Sequence, residues 1–162
     1  MRIDLSPDEI NEMIPMPVMV KIPTKTLGQS GWKQIWTYLS EPTKYKLVGN
    51  WFIHLPNGMK LMFPDGFEFD GASIPWYLRW MMTSFGPLLR GAIVHDFGYR
   101  YNFLFRWDGN QIAIERGKLF FDDLFKDIVL WTTGIVALAN VAWAGIRAGG
   151  DASWNKHREE EL

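Results

Sequence analysis

Trp51-Phe-Ile-His-Leu-Pro-Asn-Gly-Met-Lys-Leu-Met-Phe63-Pro-Asp-Gly-Phe-Glu-Phe69 is the stretch that decides the fold. Trp51 to Leu55 and Met59 to Phe63 are apolar runs on either side of Pro56-Asn57-Gly58. An Asn-Gly pair between such runs is a strong hairpin signal, because both central residues of the tight turn take positive φ. Pro64-Asp65-Gly66 makes a second turn, after which Phe67-Glu68-Phe69 alternates apolar and charged residues as a short strand. The period then changes. From Leu88 to about Asn102, the residues Leu88, Ala92, His95 and Tyr99 share one helix face. A turn at Trp107 to Gln111, holding Asp108-Gly109-Asn110, precedes a second helix from about Ile114 to Thr132. A third helix runs from about Ile135 to Ala148, where Gly149-Gly150 supply a left-handed stop. The fold class is α+β: a β-hairpin-rich N-terminal half packed on a C-terminal bundle of about three helices, not a βαβ alternation.

The 162 residues read as a single domain, with a core over 46–150, an N-terminal extension over 1–45 and a charged, frayed tail over 151–162. Within the extension, Ser6-Pro7-Asp8-Glu9 starts a short helix. Met13 to Met19, with Pro15 and Pro17, is extended. Residues 21–50, with Trp32, Trp36 and Tyr38, mix strand and loop.

Composition narrows the function. Hydrophobic residues make up 48% and charged residues 22%, enough for a packed core. A net charge of −1 argues against a nucleic-acid partner, which requires a basic stripe to neutralise phosphates. There is no cysteine, which excludes disulfides, thiolate metal sites and a cysteine nucleophile. Met1 to Asp4 is too polar to open a signal peptide, so synthesis in a cytoplasm is the plain expectation. Nine tryptophans and eleven phenylalanines suit a core, a protein interface, an oligomer contact or a membrane surface. Ile128 to Ile146 holds no charge over 19 residues, near the length that spans a bilayer. Thr132, Thr133, Asn140, Gly134 and Gly145 dilute or interrupt it, and favour a buried or surface-docked helix.

Three features carry chemistry. His95 and Asp96 are helix neighbours about 100° apart, so each faces a different partner. Tyr99 lies one turn after His95 on the same face, where its hydroxyl reaches a carboxylate of the second helix. On that helix Asp122 borders the apolar stripe of Phe121, Leu124, Phe125, Ile128 and Val129, whereas Asp123 aligns with Lys126 and Asp127 on the solvated face. A carboxylate bonded to one imidazole nitrogen fixes the tautomer and leaves the other nitrogen as a base, which makes His95 and Asp122 a candidate dyad. In the loop Asp70-Gly71-Ala72-Ser73-Ile74-Pro75, Gly71 allows close backbone approach. Asp70, the loop carbonyls and Asp96 together make an oxygen set suited to calcium. Singly, each feature is commonplace: a His-Asp doublet is a surface pair and Asp-Gly a turn. Together, with consistent faces, they make a site. Two other hydrolytic readings are weaker. A metal phosphohydrolase needs a helical upstream histidine, but His54 sits in a hairpin, and Ser73 lacks a nucleophile elbow.

The string Phe63 to Pro75, followed by Ala92-Ile93-Val94-His95-Asp96-Phe97-Gly98-Tyr99, resembles a phage and prophage family known only as a domain of unknown function. Asp122 with Phe125 continues that pattern, and Trp143, Arg147 and Trp154 match its closing helix loosely. The resemblance covers about residues 45–155. More distantly, His95-Asp96-Phe97-Gly98-Tyr99-Arg100 is similar to the signature helix of bacterial and fungal secreted phospholipases A2. That similarity implies a phospholipase-A2-like helix pair: His95 as the base that activates water, Asp96 and Asp70 on calcium, and Asp122 orienting the histidine. It implies a phospholipid ester as substrate, with Trp76, Tyr77, Trp80, Met81 and Met82 as a lipid-facing rim. The chain departs from those enzymes in lacking cysteines, a signal peptide and their calcium loop. The competing expectation is a virion or tail component in which the same residues brace the fold and the aromatics contact other phage proteins.

Overall fold

The computed structural model describes residues 5–22, 31–32, 44–69, 86–113 and 117–159. In chain order these form α1 (Pro7–Met13), β1 (Met19–Ile22), β2 (Lys44–Leu47), β3 (Trp51–His54), β4 (Lys60–Phe63) and β5 (Glu68–Phe69). Then follow α2 (Leu89–Tyr101), β6 (Phe103–Arg106), β7 (Gln111–Ala113), α3 (Gly117–Thr133) and α4 (Val136–Glu159). The loop Asp70 to Pro75, the aromatic run after it, Trp36 and Tyr38 lie outside the described residues.

The architecture is α+β: two small antiparallel sheets precede or flank a set of packed C-terminal helices. One sheet has the order β1-β2-β5 and the other β3-β4-β6-β7. The hairpin at Asn57-Gly58 forms, with Trp51 opposite Phe63 and Ile53 opposite Leu61. Its turn differs from the expected one, because only Gly58 takes positive φ, at 89°. Gly58 N–H donates to Leu55 O and Leu55 N–H to Met59 O, both at 2.8 Å, so a three-residue loop opened by Pro56 closes the hairpin. Pro64-Asp65-Gly66 turns as expected, with Phe67 N–H on Pro64 O at 3.3 Å.

The turn at Trp107 is flanked by two strands that the local pattern does not announce. Asn102, left-handed at φ 54°, ends α2 and feeds the chain directly into β6. The β6–β7 hairpin joins the second sheet by setting Phe105 opposite Met62 of β4. Trp107 Nε1–H fastens its tip to Ile53 O at 2.8 Å. This pairing bridges residues far apart in sequence, which is why a window on residues 103–113 does not show it.

α2 is the axis of the molecule. Leu89 and every residue from Gly91 to Tyr99 are buried. It lies closely against α3 at two glycines seven residues apart. A Cβ on Gly91 would stand 3.0 Å from Phe125 Cδ2 and 3.2 Å from Val129 Cγ2, and one on Gly98 would fall within the Phe121 ring. Phe63, Phe69, Phe97, Phe121 and Phe125 fill the core between sheets and helices. Burying each such side chain stabilises the fold by about 1.5–3 kcal/mol.

The third helix corrects the expectation of a stop at Gly149-Gly150. α4 passes through both glycines and continues to Glu159, across residues read as a frayed tail. The glycines serve close approach instead. A Cβ on Gly150 would collide with the Tyr99 hydroxyl and stand 3.2 Å from Lys118 Cε. Beyond them, Trp154 packs on Tyr99 with ring centroids 5.3 Å apart and on Phe121 at 6.2 Å. The uncharged run Ile128 to Ile146 is split at Gly134, whose φ of 69° ends α3. No helix among the described residues is long and apolar enough to cross a membrane.

Candidate functional site

The site is assembled where α2, α3 and α4 meet. His95 and Tyr99, one turn apart on α2, both point at α3, and both are buried. Asp122, at the edge of the α3 apolar stripe, is fully buried, whereas Asp123 is exposed. Asp122 Oδ1 lies 3.0 Å from His95 Nε2 and accepts the Tyr99 hydroxyl at 2.6 Å. Its second oxygen accepts Lys118 Nζ–H at 3.1 Å, and Arg147 Nε of α4 stands 3.8 Å away. Lys118 also pairs with Asp151 at 3.3 Å. A carboxylate taken out of water is costly unless its lone pairs are matched, and Asp122 is matched on both oxygens.

These contacts set the protonation states. Burial alone would raise the Asp122 carboxyl, but hydrogen bonds from His95, Tyr99 and Lys118 outweigh it and hold the group below its usual range. Burial alone would lower His95. The hydrogen bond to Asp122, with the charges of Asp96 and Asp122 behind it, wins and raises it above its ordinary value. Tyr99 is pushed upward by burial and by its bond to Asp122, so it remains a neutral hydroxyl donor.

The expectation that His95 and Asp96 face different partners is half met. His95 Nε2 goes to Asp122, but Nδ1 lies 3.7 Å from Asp96 Oδ1. That separation is long for a hydrogen bond and short enough for the charges to be felt. His95 Nδ1 has no hydrogen-bond partner among the described residues. With Nε2–H donating to Asp122, the neutral imidazole therefore carries its lone pair on Nδ1.

Of the residues expected to hold a cation, Asp96 is buried beside Nδ1, while Asp70 and Gly71 lie outside the described residues. Among the described residues no group of three or more histidine, cysteine, aspartate or glutamate side chains converges on a metal position. Of the two carboxylates expected on the cation, the described residues therefore include Asp96 alone.

Two members of the network were not anticipated from the sequence. Lys118 precedes Asp122 by one helical turn, and that spacing is the signal that would have found it. Asp151 opens the charged stretch that the sequence marks as a tail. Arg147 and Trp154, matched only loosely in the resemblance, both reach the site from α4, while Trp143 Nε1–H bonds Asp123 Oδ1 at 2.9 Å on the outer side of α3.

A helix pair that buries a His–Asp–Tyr cluster beneath a third helix, beside two small antiparallel sheets, is the class of molecule that fold and site define. The chain belongs to the family described as protein of unknown function (DUF1353), whose model matches residues 39–146. No curated protein and no solved structure matches it. His95, Asp96, Tyr99, Lys118 and Asp122 lie inside the matched segment, whereas Arg147, Gly150, Asp151 and Trp154 lie beyond it.

Proposed function

We propose that the chain is a phage-encoded hydrolase of ester bonds, acting through the His95–Asp122 dyad in the manner of the phospholipases A2, with a membrane phospholipid as the substrate class. The single observation that carries this reading is the imidazole geometry. Nε2 is committed to Asp122 at 3.0 Å, while Nδ1 has no hydrogen-bond partner among the described residues. A water at Nδ1 gives up a proton to it as its oxygen adds to the ester carbonyl. The ester C–O bond then breaks, and the same proton passes to the departing alkoxide. Asp122 stabilises the imidazolium formed in between, and Tyr99 and Lys118 keep Asp122 from rotating away. A calcium ion held by Asp96, with Asp70 and the Gly71 backbone, would supply polarisation of the carbonyl oxygen.

Release of fatty acid from phospholipid vesicles, with calcium and with a chelator, tests this. The expected result is release that falls by about 10²-fold or more in His95→Gln, the scale of a lost general base. No release by the folded, calcium-loaded protein, or unchanged release by His95→Gln, would overturn it.

One observation favours a second reading. His95 and Asp122 are both 0% exposed, and a base must meet water. In that reading the chain is a virion or tail component, and the cluster braces α2, α3 and α4. Recovery of the chain in purified particles together with inactivity on vesicles selects it.

A further inference from the structure

A second concave feature lies away from the dyad. Phe67, Phe97, Tyr101, Phe103 and Phe105 come from the turn before β5, from α2 and from β6, and together with Asp65 they line a cavity of about 330 Å³. Three ring pairs meet steeply, Phe67 and Phe97 at 65° with centroids 5.0 Å apart, Phe97 and Phe103 at 85° and 5.9 Å, and Phe103 and Phe105 at 77° and 5.0 Å, while Tyr101 is tilted at 54° to Phe97 and 38° to Phe103. Parallel rings would close on one another, whereas rings at these angles wall a corner. The cavity is open to solvent, and Tyr101 is 40% exposed.

Among the described residues that bound it, Asp65 is the one with a charged side chain, and it is held in place. Asp65 Oδ1 accepts Gly49 N–H at 2.8 Å, and Asp65 N–H donates to Asn50 Oδ1 at 2.9 Å. No described residue bounding the cavity is a lysine or arginine. The cluster already receives a cation from the protein itself: Arg100 Cζ stands 5.3 Å from the Phe67 ring centroid.

We propose that this cavity binds a small organic cation of the quaternary-ammonium class, either free or as the head group of a lipid. A methylated ammonium is weakly hydrated and spreads its charge over its methyl groups, so it loses little on leaving water and gains from each ring face around it. The volume is at the lower end of small-ligand sites, suited to a compact head rather than an extended chain. A neutral apolar molecule would use the rings and leave the anchored carboxylate idle. The site does not depend on the His95 dyad: Phe97 is two residues beyond His95 on α2 and points to another side of the helix.

Choline is the probe, with 3,3-dimethylbutan-1-ol as its uncharged counterpart, and binding is read from the upfield shift of the probe methyl resonances on titration into the full chain. Saturable choline binding is expected, with the alcohol at least roughly threefold weaker. Tyr101→Leu, at a half-open position, should weaken choline roughly tenfold, and Asp65→Asn, which keeps the acceptor for Gly49, roughly threefold. Retention on phosphatidylcholine over phosphatidylglycerol vesicles, lost in Tyr101→Leu, assigns the cation to a lipid head group. Equal retention on both, with choline still bound, assigns it to a free metabolite. Equal binding of choline and the alcohol overturns the proposal, and so does no binding of either or choline binding unchanged in folded Tyr101→Leu.

Discussion

At the scale of the residue, Asp122 decides the behaviour of the site. Its folded-state pKa is depressed, so its ionised form contributes stability above its ordinary value of 3.8, and that contribution is lost as pH falls through the folded value. His95 is the reverse case. Its pKa is raised, so its contribution is complete below its ordinary value of 6.5 and is lost as pH rises through the folded value. The pair therefore stabilises most between those two values. Melting temperature of the protein in chelator, followed across pH, should peak in mild acid and decline on both sides. Asp122→Asn should flatten that peak and cost about 3–5 kcal/mol, since it leaves Lys118 and His95 facing a group without charge. A melting temperature that climbs steadily from pH 5 to pH 8 would contradict this assignment. Much of the site was legible at this scale. Helical spacing alone put His95 and Tyr99 on one face and Asp122 on the inner edge of its helix. What spacing does not carry is which residues arrive from a third element, and Arg147 and Asp151 were therefore invisible as partners.

At the scale of the element, glycines do work that sequence reading assigned to turns. Gly149-Gly150 looks like a helix stop because glycine is so often found there. The helix continues because residue 150 must lie against Tyr99 and Lys118, and only a hydrogen fits. The hairpins and the onset of α2 were readable because their signals are local: turn residues, and a change of period from two to three or four. The β6–β7 strands and the α2–α3 crossing were not, because each depends on what lies across the interface. The contact at Gly98 is the tighter of the two crossing points, with the Phe121 ring in place of a side chain. Gly98→Ala should destabilise by about 1–3 kcal/mol through overpacking. Gly149→Ala, at an exposed helical position where an added Cβ meets nothing within 4 Å, should stabilise by about 0.5–1 kcal/mol. Chemical denaturation of the two variants side by side checks both signs. A destabilised Gly149→Ala would mean that the helix does not pass through that point.

At the scale of the whole molecule, sheets and helices divide the labour. The β3-β4-β6-β7 sheet buries Trp51, Ile53, Leu61, Phe63 and Leu104, and presents Phe103 and Phe105 at the aromatic cavity. The helices enclose the charged cluster. The two candidate binding features thus share α2 and no wall residue, which lets either be altered without touching the other. The charge-free stretch that looked long enough for a bilayer is spent on two helices joined at Gly134, with Thr132 and Thr133 hydroxyls donating to Ile128 O and Val129 O at 2.7 Å.

The passage of α4 over Tyr99 also has a bearing on the order of events during synthesis. A ribosome delivers residues 89–133, with the histidine and its carboxylate, well before Gly150 and Trp154 emerge. Until then the phenol lacks the two residues of α4 that lie against it in the folded chain. A chain stopped after Ala148 should therefore keep its sheets, show Tyr99 open to a soluble fluorescence quencher, and lose the mild-acid stability peak. Full-length protein should show neither change. If the shortened chain shields Tyr99 as well as the complete one does, the last turns of α4 are a passenger. Otherwise the last turns of α4 are what closes the cluster, late in the order in which the chain is made.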